Sequence, residues 1–197
     1  MEVGVKIGQL GKEPVDAIIL LLYEGDSTPQ GAAAMLDKAL DGAITMLLQE
    51  GEFTGQYKQQ SALHVHGRLK AKKIVLAGLG KPETLTHDRL RHVSGGAASY
   101  ARGLRAASLA TAIDGAERAQ IAPADAAQAI VEGTLLALYR FDKFKTEEND
   151  RREVTSLTLV ANNRAPLSDE AIKKRGFAHI WTAHDRHLCV FRFHELR

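Results

Sequence analysis

Lys73-Ile74-Val75-Leu76-Ala77-Gly78-Leu79-Gly80 decides how this chain folds. Residues 74–77 form an unbroken apolar run with no alternation of apolar and polar positions. A strand with one wet face alternates; this one does not, so both its faces are expected to be covered, as in the middle of an α/β sheet. Gly78 and Gly80 fall at the carboxyl end of the run, where open α/β sheets keep their ligand crevices, and Lys81-Pro82 follow. Gly78, Gly80 and Lys81 are therefore candidates for a phosphate-cradling loop. A lone Gly-x-Gly is a weak signal, and we read it as a tight exit from a strand.

Periodic segments lie on either side. Residues 3–7 alternate and suit a strand with one buried face, and residues 16–23, Asp-Ala-Ile-Ile-Leu-Leu-Leu-Tyr, read as a second buried strand. Leu36, Leu40, Ala43 and Leu47 make one apolar stripe and predict a single helix over 32–50. Residues 61–67 read as a strand with Ala62, His64 and His66 on one face. After the central strand, Thr84 or Thr86 caps a helix running to about Leu104, with Leu90, Val93, Ala97 and Ala101 inward. Gly95-Gly96 in its middle lowers helix propensity, which implies a close neighbour there. Residues 107–113 are a strand. Pro123 opens a helix to about Arg140, with Ala127, Ile130, Thr134 and Leu138 inward. Residues 155–160 are a last strand, and Ser168 caps a short helical start over 169–174. Strands alternating with helices predict an α/β three-layer sandwich with helices on both faces of the sheet.

The chain has 197 residues, enough for one domain with a real core and a short appendage. No apolar run is long enough to span a bilayer, and the first residues lack the order of a signal peptide. A single cysteine, Cys189, excludes an internal disulfide framework and fits a reducing, cytoplasmic setting. The net charge of +2 resides in the last 23 residues, where four arginines face Asp185 and Glu195. Residues 1–174 are neutral, so the basic balance says little about nucleic acid. Arg68, Lys70, Lys72 and Lys73 remain candidates for touching a phosphate backbone, against the plainer reading of a solvated turn.

Val131-Glu-Gly-Thr-Leu-Leu-Ala-Leu-Tyr-Arg-Phe-Asp-Lys-Phe-Lys-Thr146 carries a further signal. With Glu132, Gly133, Tyr139, Phe141, Phe144 and Lys145 in these places, it resembles the helix and exit segment of the N-terminal domain of leucyl (cytosol) aminopeptidases. Residues 74–81 and 157–162 are similar to that domain's central and final strands, in the same order, so the resemblance covers about residues 1–174. It implies a macro-domain-like α/β fold with a mixed sheet. It also implies a catalytic C-terminal domain as partner, which holds two divalent metals (zinc or manganese), and a homo-oligomer such as a hexamer. The Asn-Thr-Asp-Ala-Glu-Gly-Arg-Leu motif of that catalytic domain does not occur here. A two-metal hydrolase needs its clustered carboxylates, so this chain is expected to be inactive alone, with no catalytic residues of its own. Some members of the family bind DNA as regulators, and a macro-like fold raises ADP-ribose or nucleotide binding; both stand as alternatives. Tyr139, Phe141 and Phe144 are expected to anchor the end of the second large helix, and Glu132 to pair across an interface or face water.

Residues 175–197 depart from the pattern. They hold half of the histidines, the only tryptophan and the only cysteine. Such a break is what an out-of-frame reading gives; the other reading is a genuine short variant whose residues 188–193 add a strand. His184, His187 and Cys189 are weak candidates for metal ligands, with His179 or His194 as a fourth, but they lack the paired, tight spacing of structural zinc sites. His64 and His66 have the spacing of two ligands but no third. Cys189 shows no partnership that would make it a nucleophile, and Ser94 and Ser99 lack a nucleophile-elbow context.

Overall fold

The computed structural model describes residues 1–139 and 153–161. Its element order is β1 (Glu2–Ile7), β2 (Ala17–Tyr23), α1 (Gly31–Ala39), α2 (Ala43–Gln49), β3 (Gln60–His64), β4 (Lys73–Gly80), α3 (His87–Gly103), β5 (Ser108–Ala112), α4 (Pro123–Leu138) and β6 (Ser156–Ala161). The strands form one sheet in the order β1-β6-β5-β2-β4-β3. All neighbours are parallel except β3, which runs antiparallel to β4 at one edge. The sheet is mixed, as expected.

Strand periodicity sorts the core into two layers. Ile19, Val75, Ala77 and Leu109 point to one face and pack against α3 and α4. Ile18, Leu20, Ile74, Leu76 and Ala110 point to the other and pack against α1 and α2. In β2 and β4, Ile18 lies opposite Ile74 and Leu20 opposite Leu76, so the two continuous apolar runs stack side by side. The three-layer α/β sandwich is the observed architecture.

Two expectations change. The helix over 32–50 is two helices, separated by Asp41 and Gly42 in the left-handed region (φ 55° and 83°). The buried Asp37 carboxylate accepts the Ile44 and Thr45 amides at 2.7 and 3.0 Å and the Thr45 hydroxyl at 2.5 Å, capping α2 from α1. That local bonding competes with helix continuation, and Gly42 takes the turn without strain. The strand over 61–67 ends at His64, because His66 adopts a φ of 48°. Gly78 and Gly80 close β4 itself, with Gly80 at φ 77°, as expected for a tight exit from the strand.

The amino edge of the sheet is tied by Asp16. Its carboxylate accepts the Ala107 and Ser108 amides at 2.8 and 3.2 Å and the Lys72 ammonium at 2.7 Å. The Lys72 hydrogen bond holds this carboxyl below the usual carboxylate range. Across the sheet, α3 and α4 meet through glycine. A Cβ on Gly95 would crowd the Gly133 carbonyl and the Ala137 methyl, and one on Gly133 would overlap the Arg91 carbonyl. The close neighbour implied by Gly95-Gly96 is thus α4. Gly133→Ala forces the helices apart, and overpacking of this kind costs about 2 kcal/mol. The expected fall in melting temperature is roughly 4–8 °C for a domain of this size, read by circular dichroism. An unchanged transition would show that the helix pair separates freely.

Candidate functional site

The carboxyl ends of β2 and β5 frame a crevice of about 280 Å³, lined by Leu22, Tyr23, Gln30, Gly31, Asp114 and Arg118 among others. It lies at the switch point of the sheet. From β2 the chain crosses one face through α1 and α2 towards β4, and from β5 it crosses the other through α4 to β6. Folds of this class keep their ligand crevices at such a point.

Its walls are held by polar contacts within the chain. The Tyr23 hydroxyl donates to the Gly115 carbonyl at 2.9 Å, and burial pushes its pKa up to about 12. The Arg118 guanidinium lies over the Tyr23 ring, 4.6 Å from its centroid, and donates to both Asp26 carboxylate oxygens at 2.7 and 2.9 Å. This bidentate pair closes one side of the crevice. On the other side the Asp114 carboxylate accepts the Ala32 amide in the first turn of α1 at 2.5 Å. Gly31, with φ 57°, has no Cβ because one would run into that carboxylate. Asp114 therefore fills the positive end of α1, the position an anion would otherwise take. Burial raises its pKa, against the pull of the Ala32 amide.

A second depression of about 400 Å³ runs over α1 and α2, but the buried carboxylate in its wall, Asp37, is spent on capping α2.

The residues singled out from the sequence are dispersed. The Gly78 amide donates to the Gln59 carbonyl at 2.8 Å and the Gly80 amide to the Gly55 carbonyl at 2.9 Å, so both are engaged within the fold. A Cβ on Gly78 would strike the Gln56 carbonyl oxygen, which accounts for a glycine there. The side chain of Lys81 stays exposed. Arg68 is paired with Asp41, Lys72 with Asp16, and Lys73 donates to the Leu104 carbonyl at 2.7 Å, leaving only Lys70 of that basic group without such a contact. The His64 and His66 rings are 6.2 Å apart. Among the described residues no group of three or more histidine, cysteine, aspartate or glutamate side chains could hold a metal ion. His184, His187 and Cys189 lie outside the described residues, as do Phe141, Phe144 and Lys145.

Of the two alternatives for Glu132, pairing is the one observed, within the chain across the α3–α4 contact: it accepts Arg91 Nε from α3 at 2.6 Å and Gln128 from its own helix at 2.7 Å. Tyr139 is 69% exposed and anchors nothing within the described domain. Ser94 is buried with its hydroxyl unpartnered among the described residues, and Ser99 reaches the Ala137 carbonyl at 3.4 Å. The residues that build the crevice were not singled out from the sequence. The one available signal was Ile113-Asp114-Gly115, a turn directly after a buried strand.

This architecture, with a mixed sheet between helix pairs and a switch-point crevice, defines a macro-domain-like α/β domain. A Trypanosoma brucei macrodomain solved in complex with ADP superposes with a TM-score of 0.62 at 15% identity, covering 88% of this chain and 68% of its own. A tomato leucine aminopeptidase mutant superposes with a TM-score of 0.67 at 21% identity, covering 88% of this chain and 35% of that one. In sequence, residues 19–148 match the cytosol aminopeptidase family, N-terminal domain, and the chain belongs to that family. A probable cytosol aminopeptidase of Alkaliphilus oremlandii is 31% identical over 173 residues, 88% of this chain and 34% of the relative. The chain spans about a third of the length of the curated relatives it first matches.

The raised pKa of Asp114 gives a pH signature. A carboxyl whose pKa is raised on folding binds more protons in the native state, so stability is gained as pH falls through the folded value towards the unfolded one, ~3.9. Wild type should therefore gain stability on Asp114→Asn over that acidic window and show a constant difference above it, by urea unfolding at a series of pH values. Wild type losing ground on acidification would mean that the charged carboxylate is the form the fold prefers.

Proposed function

We propose that this chain is the non-catalytic, organising domain of a leucyl-aminopeptidase-like protein. It serves assembly and access to the active site, and acts in the cytosol. The observation that carries this reading is the match of residues 19–148 to the N-terminal domain of a family whose first curated relatives are about three times as long. In this reading peptide hydrolysis, and the two zinc or manganese ions that generate the attacking hydroxide, belong to a catalytic domain. The described residues offer no ligand set for such ions.

The surface of α4 supports a docking role. Leu136 is 68% exposed and Tyr139 follows it, one turn on, at 69%. Both fall inside the stretch that matches the family, and large exposed side chains grouped in this way mark contact surfaces. Arg91, Glu132 and Gln128 stiffen the same helix pair from within. The partners in this reading are the catalytic domain and further copies of the chain.

The purified chain should not release amino acid from leucine p-nitroanilide, with or without manganese or zinc. It should associate with a separately expressed catalytic domain of the family in analytical ultracentrifugation. Leu136→Asp combined with Tyr139→Ser should weaken that association about tenfold or more without lowering the melting temperature, because exposed anchors contribute to binding and not to folding. Metal-dependent turnover that copurifies with the chain and is lost in His184→Ala/His187→Ala would overturn the reading.

A further inference from the structure

We propose that Lys58 and Arg89, which both lie against the Tyr57 ring beside the carboxyl end of β4, form a binding site for a compact oxyanion of the phosphate-monoester class. The Arg89 guanidinium lies 4.7 Å from the centroid of the Tyr57 ring and the Lys58 ammonium 5.2 Å from it. The Tyr57 hydroxyl is 3.1 Å from His92 Nδ1.

These cations lack carboxylate partners. The ion pairs among the described residues occupy Lys6, Arg68, Lys72, Arg91 and Arg118, and none involves Lys58 or Arg89. The nearby Asp88 is held by Arg91 at 2.6 Å. Arg89 also sits in the first turn of α3, three residues after its cap Thr86, where the helix dipole disfavours a positive charge. Two cations and a positive helix end repel one another, and an anion among them relieves that repulsion.

The cations are also held in place. Lys58 adopts the left-handed region, φ 67°, and its amide donates to the Gly78 carbonyl at 3.0 Å. The Gly55 and Gln59 carbonyls are bonded to β4, so the whole loop rides on the central strand. Arg89 is fixed by its bond to the Thr84 hydroxyl at 2.6 Å.

The same geometry limits the ligand. Cations already lie against the Tyr57 ring and its hydroxyl is engaged by His92, so the ring is no platform for stacking a base. A small, highly charged group fits better than a nucleoside. This inference is independent of the role proposed for the domain as a whole.

The test is calorimetric titration of the full chain with inorganic phosphate and with O-phosphoserine, against acetate at matched ionic strength. Saturable binding of a phosphate compound is expected, with none for acetate. Lys58→Gln and Arg89→Gln should each weaken it about tenfold, the usual scale for losing one charge-assisted contact. Arg89→Lys should retain most of the affinity and Lys70→Gln all of it. Tighter binding of O-phosphoserine assigns the site to a phosphorylated partner, and tighter binding of inorganic phosphate to a free anion; either supports the site. Should Arg89→Gln fail to fold, Lys58→Gln decides. Absence of saturable binding, equal binding of acetate, or binding that survives both charge removals would overturn the proposal.

Discussion

Parallel pairing of β2 with β4 is the constraint on which the rest depends. Both strands are apolar on both faces, and residues 17–22 match residues 73–78 in unbroken register. A strand with two dry faces requires a layer of helix on each side, since neither face tolerates water. From that one requirement follow the α3–α4 layer, the α1–α2 layer, and the placement of every loop at one of two sheet edges. The pair also fixes where polar chemistry can occur. Nothing polar is accommodated along its length, so the charged groups collect at its ends, Asp16 and Lys72 at the amino end and the crevice and cationic collar at the carboxyl end.

Charge at the carboxyl edge is grouped. Around the crevice stand Asp26, Asp114 and Glu117 with Arg118 among them; beside β4, Lys58 and Arg89 lie against the Tyr57 ring. Folds of this type place an anion at the start of a helix next to the switch point, because free amides and the helix dipole favour it there. In this chain the chain itself provides that anion. Asp114 takes the first-turn amide of α1, and Gly31 leaves room for it. A phosphate arriving at the crevice would meet a carboxylate in its seat, and the Arg118 guanidinium is already committed to Asp26. Likeness of backbone to macrodomains therefore carries over less well to the ligand than to the fold.

What was legible in the sequence tracks how local its cause is. The buried strands and α3 with its Thr86 cap were readable, because periodicity and capping act within a few residues. Gly95-Gly96 even announced a close neighbour, since a glycine pair in a helix interior has few other uses. The break between α1 and α2 was missed because the apolar stripe of Leu36, Leu40, Ala43 and Leu47 runs through it, while the bonds from Asp37 that end the helix leave no mark on hydropathy. The partner of Glu132 could not be named for a related reason: Arg91 is 41 residues away. The crevice was invisible for the same cause in stronger form. Tyr23, Asp26, Gly31, Asp114 and Arg118 come from three stretches of chain, and only the sheet order brings them together.

The arrangement of charge is consistent with the organising role proposed for the domain. A hydrolytic site needs groups left unsatisfied by the fold, so that they remain free for metal, water or substrate. Several carboxylates are consumed internally: Asp16 on β5, Asp37 on α2, Asp114 on α1, Asp26 on Arg118 and Glu132 on Arg91. Each such bond rigidifies an element and removes a reactive group. Apart from the buried Ser94 hydroxyl, the groups left open that bear on the two proposals lie on the surface, as the exposed Leu136 and Tyr139 at the end of α4 and the cations against Tyr57.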